Sequence, residues 1–196
     1  MNCTKILLPS LSRLIPSLLM LVASSGFAQS MANNTPNVTN DCTTLVPQAN
    51  LNNCDLSASD LRSARLNGAT MKYTTLAFVD LSFAQMNGVD LTAADMHGAQ
   101  LFNTNLNGAN VRGADLSGAK MEQTKLNLAS LRGANLSQAD MRQADLTGAD
   151  LRNADLRHTD LNNTKIDGVI WGNTICPDGT RSDASPLRTC AANLTP

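Results

Sequence analysis

The stretch "ADMRQADLTGADLRNADL", residues 139–156, has Leu or Met at every fifth position and Ala two residues before each of them. A period of five matches neither the α-helix, which repeats about every 3.6 residues, nor the β-strand, which repeats every second residue. On a helix the large apolar side chains would step about 140° round the axis at each repeat, and on a straight strand they would alternate between the two faces. The pattern therefore predicts a chain that bends toward the same side once per repeat, so that it coils and the coils stack.

The same pattern holds without exception from Leu51 to Ile166. Its 24 large apolar positions are filled by 17 Leu, 5 Met, one Val and one Ile. The 25 positions two residues earlier hold 15 Ala, 5 Thr, 3 Val, one Cys and one Ser. Asp or Asn stands directly before the large residue in 15 of the 24 repeats, where we expect a solvated or corner hydrogen-bonding side chain. Such regular repetition indicates a solenoid whose narrow core is filled by the large residues and lined by the small ones.

A second period of 20 residues is superimposed on the first. Glycine occupies five of six sites spaced by 20, and Asn occupies four of the six sites just before them; the residues are Gly68, Gly88, Gly108, Gly148 and Gly168, and Asn67, Asn87, Asn107 and Asn127. This spacing predicts four repeats per coil, with a turn that needs a positive φ at the glycine corner. The Asn residues would then form a column, which we interpret as an amide ladder that stiffens this corner.

The tandem A(D/N)LXX pattern resembles the pentapeptide-repeat family, and the resemblance covers residues 49–169. It implies an all-β fold, a right-handed quadrilateral β-helix (a β-solenoid) of about six coils, each made of four five-residue repeats. The period of five and the coil length of 20 come from the residues themselves, whereas the handedness and the square section are implied by the resemblance.

The two ends of the chain differ from the repeat tract. Residues 1–28 combine Lys5 and Arg13, an apolar run and a small-residue stretch, which predicts a bacterial-type secretory signal peptide. The alternative is a transmembrane anchor, although the apolar run is short and contains Pro16. We expect residues 29–48 to form a flexible leader and N-terminal cap and residues 170–196 a C-terminal cap, with Trp171 closing the last coil. The predicted location is periplasmic or secreted, without a stable membrane anchor after cleavage.

Cleavage would remove Cys3 and leave four cysteines, an even number that in an exported chain predicts disulfides. They are Cys42, Cys54, Cys176 and Cys190. Three pairings are possible, and pairing of neighbours is favoured because each neighbouring pair brackets one end of the repeat tract. The alternative is four free thiols. The C-terminal "CPDGT…C" also resembles the cysteine-bearing tails of exported pentapeptide-repeat proteins.

Composition argues against an enzyme and against a nucleic-acid binder. The chain has only two histidines, His97 and His158, which the coil period places about three coils apart, and it has no metal-ligand spacing or phosphate-binding loop. No cofactor is therefore expected. Removal of Lys5 and Arg13 would leave 13 of the 15 basic side chains against 16 acidic ones, too balanced for binding nucleic acid through a dense basic surface.

Two groups of outward positions break the repeat pattern. A basic column is predicted on the outside of the coils, formed by Lys72, Arg112, Arg132 and Arg152. It could bind an acidic partner, or it could be neutralised by acids that we expect on the neighbouring side: Asp95, Asp115 and Asp155. Four of the six aromatic residues also fall in outward positions of two adjacent coils and form a candidate interaction patch: Tyr73, Phe78, Phe83 and Phe102. The alternative is local packing, or cover by the leader or N-terminal cap.

Three functions follow from these features. The first is an exported, non-catalytic interaction or structural scaffold with an unknown protein partner or self-association. The second is implied by the resemblance, because well-known family members mimic DNA and protect or inhibit DNA gyrase. Those members have strongly acidic surfaces and are cytoplasmic, and this chain departs from both properties. The third is binding to ice or another crystal surface by a regular solenoid face.

Overall fold

The computed structural model describes residues 41–184 and Cys190. Within them the chain forms a solenoid of isolated parallel β-bridges, and its only helix is a short 3-10 helix, Ser182–Ala184. Each parallel bridge joins two residues that are 20 apart, from Asn50↔Thr70 to Asp155↔Ile175. The predicted coil of four five-residue repeats is therefore confirmed. The predicted signal peptide and most of the predicted leader lie outside the described residues.

Each coil has four sides of five residues, and the sides are numbered here from the first full repeat. In coil 1, side 1 is residues 49–53, side 2 is 54–58, side 3 is 59–63 and side 4 is 64–68, and adding 20 gives the same side of the next coil. The third residue of each side points inward and the fifth forms the corner. Six coils end at residue 168.

The stacked coils satisfy almost every backbone N–H group by one repeated scheme. On side 1 of coil 3, the N–H of Leu91 donates to the C=O of Asn110 at 2.7 Å, and that of Ala93 donates to the C=O of Arg112 at 2.9 Å. The N–H of Asp90 donates back to the preceding coil, and Ala94 closes the turn by donating to Leu91 C=O at 3.0 Å. Only the fourth N–H of the side has no backbone acceptor.

The Asp or Asn before the large apolar residue provides the missing acceptor. Its Oδ1 accepts the N–H of the residue two positions later in 14 repeats, at 2.9–3.3 Å. Asn110 is the exception, because its amide nitrogen donates to Asp90 and Thr92 while its buried Oδ1 has no partner. The carboxylates of the repeat are thus part of the backbone hydrogen-bonding scheme.

The corner residue is left-handed on every side, and not only at the glycine corner that the sequence predicted. All 26 corners from Gln48 to Asn173 have φ between 51° and 70°, and 17 of them are not glycine. The turn at each corner has its positive φ at the third of four residues and no positive φ at the second, which defines a type II turn. Every side needs this turn because each side must bend the chain in the same sense. The corner residue is therefore left-handed whether or not it is glycine.

The inward residues form one continuous core. All the large apolar positions from Leu51 to Leu161 are at most 7% exposed, and Ile166 in the last coil is half-buried. Truncating one of them, such as Leu106, would open a cavity and cost about 2–5 kcal/mol. The inward threonines are compatible with this core because their hydroxyls donate to a backbone C=O of the preceding coil; Thr104 Oγ1, for example, lies 2.8 Å from Leu81 O.

Residues on both sides of the repeat tract contact the core, because Cys42 and Leu45 before it and Trp171 after it are partly buried against the core. Disulfides join Cys42 to Cys54 and Cys176 to Cys190, which is the pairing of neighbours. The solenoid register extends beyond residue 169, because Ile175 still pairs with Asp155 before an antiparallel bridge to Arg181. Trp171 takes the inward phase of this incomplete coil and packs against the core.

Gly98 and Gly118 form a matched pair that tests the packing of the corners. Both end side 2, with φ of 63° and 64°. A Cβ at Gly98 would lie 2.5 Å from the ring of Phe78, whereas a Cβ at Gly118 would meet nothing within 4 Å. We expect Gly118→Ala to cost about 1 kcal/mol for its left-handed backbone. Gly98→Ala should cost about 1 kcal/mol more because Phe78 must move.

Thermal and urea unfolding of both variants measures this difference. Adding Phe78→Ala to Gly98→Ala should remove the excess, because the two changes are coupled through one contact. Equal destabilisation by the two glycine substitutions would contradict the packing of Phe78 on Gly98.

Candidate functional site

The aromatic residues predicted as a patch lie on two adjacent coils. Tyr73, Phe78 and Phe83 occupy three successive corners of coil 2, and Phe102 lies on side 3 of coil 3. Tyr73 and Phe78 are 62% and 61% exposed, and Phe83 is 48% exposed. The four residues therefore do not form one flat cluster, because the corners of a square coil face different directions.

Two ring contacts connect coil 2 to coil 3. Phe83 meets Phe102 edge to face, with ring centroids 5.4 Å apart. Phe78 meets His97 edge to face at 4.7 Å, and its ring extends over Gly98. Tyr73 has no ring contact within the described part of the chain. The aromatics thus divide into a pair on side 3 and two residues that flank side 2.

Leu128 is an exposed apolar corner that the sequence analysis missed. It ends side 4 of coil 4, has φ of 59° and is 76% exposed, and its side chain lies over Gly148. The signal was present in the sequence, since Leu128 is the only break in the column of corner glycines. It was overlooked because an isolated Leu in a Leu-rich repeat does not stand out by composition.

The predicted basic column exists on side 1, but the acids that neutralise it are on the same side. Lys72 Nζ lies 3.1 Å from Asp90 Oδ2 in the next coil. Asp150 accepts Arg152 at 2.6 Å and lies 4.0 Å from Arg132.

The expectation that Asp95, Asp115 and Asp155 neutralise this column was wrong, because a carboxylate reaches its own side and the same side of the adjacent coil more easily than it reaches round a corner. Arg112 makes no ion pair with any described residue, so the column is only partly neutralised.

Ion pairs of one type recur where Arg follows Asp by two residues. The guanidinium of Arg62 reaches Asp60 at 2.6 Å, and the same pair forms at three other repeats: Arg142–Asp140, Arg152–Asp150 and Arg157–Asp155.

The hydrogen bond from the Arg62 side chain, together with the N–H of residue 62, lowers the pKa of Asp60 to about 2. The arginine hydrogen bond likewise holds the pKa of Asp140, Asp150 and Asp155 below the ordinary range, with burial opposing it. Much of the acidic surface is therefore neutralised inside the molecule.

The predicted Asn column on side 4 is present in two separate pairs. Asn67 Oδ1 accepts both the N–H and the side-chain amide of Asn87 at 2.9 Å, and Asn107 Oδ1 accepts the N–H of Asn127 at 3.0 Å. Between these pairs, Asn107 N–H donates instead to Asn105 Oδ1. The side chains therefore bridge adjacent coils locally and do not form a continuous ladder.

Across residues 41–184, no group of His, Cys, Asp and Glu side chains has an arrangement that could hold a metal ion. No helix in this part of the chain is long and apolar enough to cross a bilayer.

The Asp60–Arg62 pair gives a pH test of the surface electrostatics. The folded pKa of Asp60 lies below its ordinary value, so its charged form stabilises the native state above about pH 4, and this contribution is lost as the pH falls toward 2. A carboxyl NMR titration should show the Asp60 midpoint near pH 2, and Arg62→Gln should raise it toward the ordinary value. An unchanged midpoint in Arg62→Gln would contradict the assigned cause.

Comparisons with known proteins agree with this geometry. The family model "Pentapeptide repeats" matches residues 48–76, 71–108, 94–133 and 129–168. No curated protein matches the chain. The similar solved structures include QnrB1, a plasmid-mediated fluoroquinolone resistance protein, at 20% identity and a TM-score of 0.50, covering 76% of this chain and 88% of that one.

Two other structures share more sequence but superpose less well. The pentapeptide repeat protein alr5209 from Nostoc PCC 7120 is 38% identical over 41% of this chain and 68% of its own, with a TM-score of 0.39. HetL, a pentapeptide repeat protein involved in heterocyst differentiation regulation from the cyanobacterium Nostoc sp. strain PCC 7120, is 25% identical over 70% of this chain and 90% of its own, with a TM-score of 0.22.

The family match spans more than half of the chain, and the structure shows a coil of four five-residue sides with a left-handed corner on each. The chain belongs to the pentapeptide-repeat family and folds as its right-handed quadrilateral β-helix.

Proposed function

We propose that this protein is an exported, non-catalytic scaffold that presents the outer faces of a rigid solenoid to a protein partner. The observation that carries the proposal is the placement of Tyr73 and Phe78 at exposed left-handed corners. A left-handed backbone costs a residue with a Cβ roughly 1–2 kcal/mol, and glycine occupies nine of the 26 corners without that cost. Large aromatic side chains at such corners contribute little to the core, which favours a role in binding.

Export is supported by the N-terminal sequence and by the cysteines. Residues 1–28 have the order of a secretory signal peptide, and disulfides persist mainly in oxidising compartments. The bonds Cys42–Cys54 and Cys176–Cys190 join the caps to the stack, where they would stabilise the two ends after export.

A non-catalytic role is supported by what the polar side chains already do. The Asp and Asn residues of the repeat accept backbone N–H groups, and several of the carboxylates also bind arginine, so few are left to converge on a substrate. His97 and His158 both lie on side 2, but in coils 3 and 6.

DNA mimicry at gyrase is a weaker alternative for this chain. The likeness to QnrB1 is at 20% identity and concerns the fold alone. A DNA-like surface needs dense, uncompensated negative charge. Here Asp60, Asp140 and Asp150 are each bound to an arginine within their own repeat.

Ice binding is less favoured still, because the outward columns mix charged, aromatic and amide side chains instead of forming a flat threonine array.

Fractionation of bacteria that express the full chain tests the proposal. We expect the mature chain in the periplasm or medium, beginning at Gln29, with no thiol that reacts before reduction. Leu19→Arg interrupts the apolar run and should keep the chain in the cytoplasm, which makes it the matched control. A wild-type chain that stays in the cytoplasm with residues 1–28 attached, and that alters gyrase supercoiling, would overturn the proposal in favour of the alternative.

A further inference from the structure

Side 2 differs from the other three sides in its charged residues. Over coils 1–5 it consists of residues 54–58, 74–78, 94–98, 114–118 and 134–138, and these contain no Lys or Arg. Over the same coils each of the other sides contains at least two basic residues, and most of the acids on those sides are in ion pairs with them. Through coil 5, side 2 is therefore the one face that has no arginine or lysine of its own.

Two exposed aromatic residues flank this face in coil 2. Tyr73 ends side 1 and Phe78 ends side 2, so their side chains stand at the two edges of the strip formed by residues 74–78. The floor between them is low, because Thr75 is half-buried and Ala77 is only 7% exposed, so neither side chain projects from the face. An extended segment can approach such a floor more closely than it can approach the arginine-covered sides.

His97 connects Phe78, at one edge of side 2, to a carboxylate of the same face. The ring of His97 packs 4.7 Å from the ring of Phe78, and its Nδ1 lies 2.6 Å from Asp95 Oδ1. Asp115 is the bridge neighbour of Asp95 in the next coil, about 4.8 Å further along the axis. Asp115 accepts hydrogen bonds from Ser117 N–H and the Asn135 amide, and no Lys or Arg of the described chain pairs with it. Aromatic rings and a carboxylate thus line one strip that runs along the rod.

We propose that side 2 of coils 2–4 binds a basic segment of the partner protein, in an extended conformation along the solenoid axis. Cationic side chains are the groups that both parts of the strip attract, the ring faces by cation–π interaction and the carboxylates by charge. Alternate side chains of an extended segment are about 7 Å apart. One basic side chain would lie beside Tyr73 and Phe78, and the next would lie between Asp95 and Asp115. This inference rests on the proposed scaffold function and specifies the chemistry of its partner.

Titration of the oxidised chain, residues 29–196, with a fluorescein-labelled (Arg-Gly)4 peptide tests the inference. A (Glu-Gly)4 peptide is the control probe and should not bind. Asp115→Asn keeps the oxygen that accepts Ser117 N–H, so it removes the charge while the fold is preserved. We expect it to weaken (Arg-Gly)4 binding about threefold, within the range of an exposed charge pair. Asp167→Asn on side 4 removes an equal charge that makes no ion pair with any described residue, and it should leave binding unchanged.

The aromatic contribution has its own matched control. Tyr73→Ser with Phe78→Ser should weaken binding about fivefold, as expected for loss of exposed cation–π contacts. Leu128→Ser, at a still more exposed corner of side 4, should have no effect. Circular dichroism melts of all the variants establish that they are folded.

Three outcomes would overturn the inference. Equal weakening by Asp115→Asn and Asp167→Asn would show that only net charge matters. If (Arg-Gly)4 does not bind the folded wild-type chain, side 2 is not a binding site for a basic segment. Wild-type dimerisation in ultracentrifugation that Phe78→Ser abolishes would show that a second copy occupies side 2. Each of these results leaves the export experiment unaffected, so failure of the inference is distinguishable from failure of the proposed function.

Discussion

The square coil depends on one backbone conformation, the left-handed residue that ends each side. All 26 corners adopt it, and at 24 of them the hydrogen bond of a type II turn closes the bend that directs the chain back toward the axis. Because the bend has the same sense every five residues, each third residue of a side points inward and the coil closes after 20. The turn leaves one N–H per side without a backbone acceptor, and the Asp or Asn of the repeat accepts it in 14 of the 15 repeats that have one, as in Asp90, Asp115 and Asp150. In five residues, the A(D/N)LXX pattern thus provides the side chains that fill the core, the bend of the chain and an acceptor for the remaining N–H group.

This constraint separates structure from function along the chain. Three positions of each repeat are assigned by the fold: the small residue, the Asx acceptor and the large inward residue. The remaining two point outward and vary most freely, although nine of the 24 repeats also have a residue other than Asp or Asn at the Asx position. Arginine at the fourth position neutralises the carboxylate of its own repeat, as Arg62 does for Asp60. Side 2 lacks such arginines through coil 5 and carries Tyr73 and Phe78 at its edges, which is why it is the face best suited to a basic partner.

The five-residue period of the sequence predicts the fold because the same position of every repeat is buried in the core. Leu106 and Leu116 are interchangeable in this respect, and both are buried as expected. The corner conformation was recognised only where glycine marks it, since residues such as Phe83 and Gln143 take a positive φ under tertiary constraint against their own preference. The partners of Lys72 and Arg132 were assigned to the wrong side because reach depends on side-chain direction and not on spacing alone. Leu128 was missed because exposure at a corner cannot be inferred from an apolar residue type.

A map of nuclear Overhauser contacts in the isotope-labelled chain tests whether one coil contains four sides. A four-sided coil gives backbone contacts between residues 20 apart on all four sides, for example between Asp90 and Asn110 and between Asn105 and Lys125. It also requires a left-handed φ at Phe78, Phe83 and Leu128. Contacts between residues 15 or 25 apart, or right-handed corners at the non-glycine positions, would contradict it.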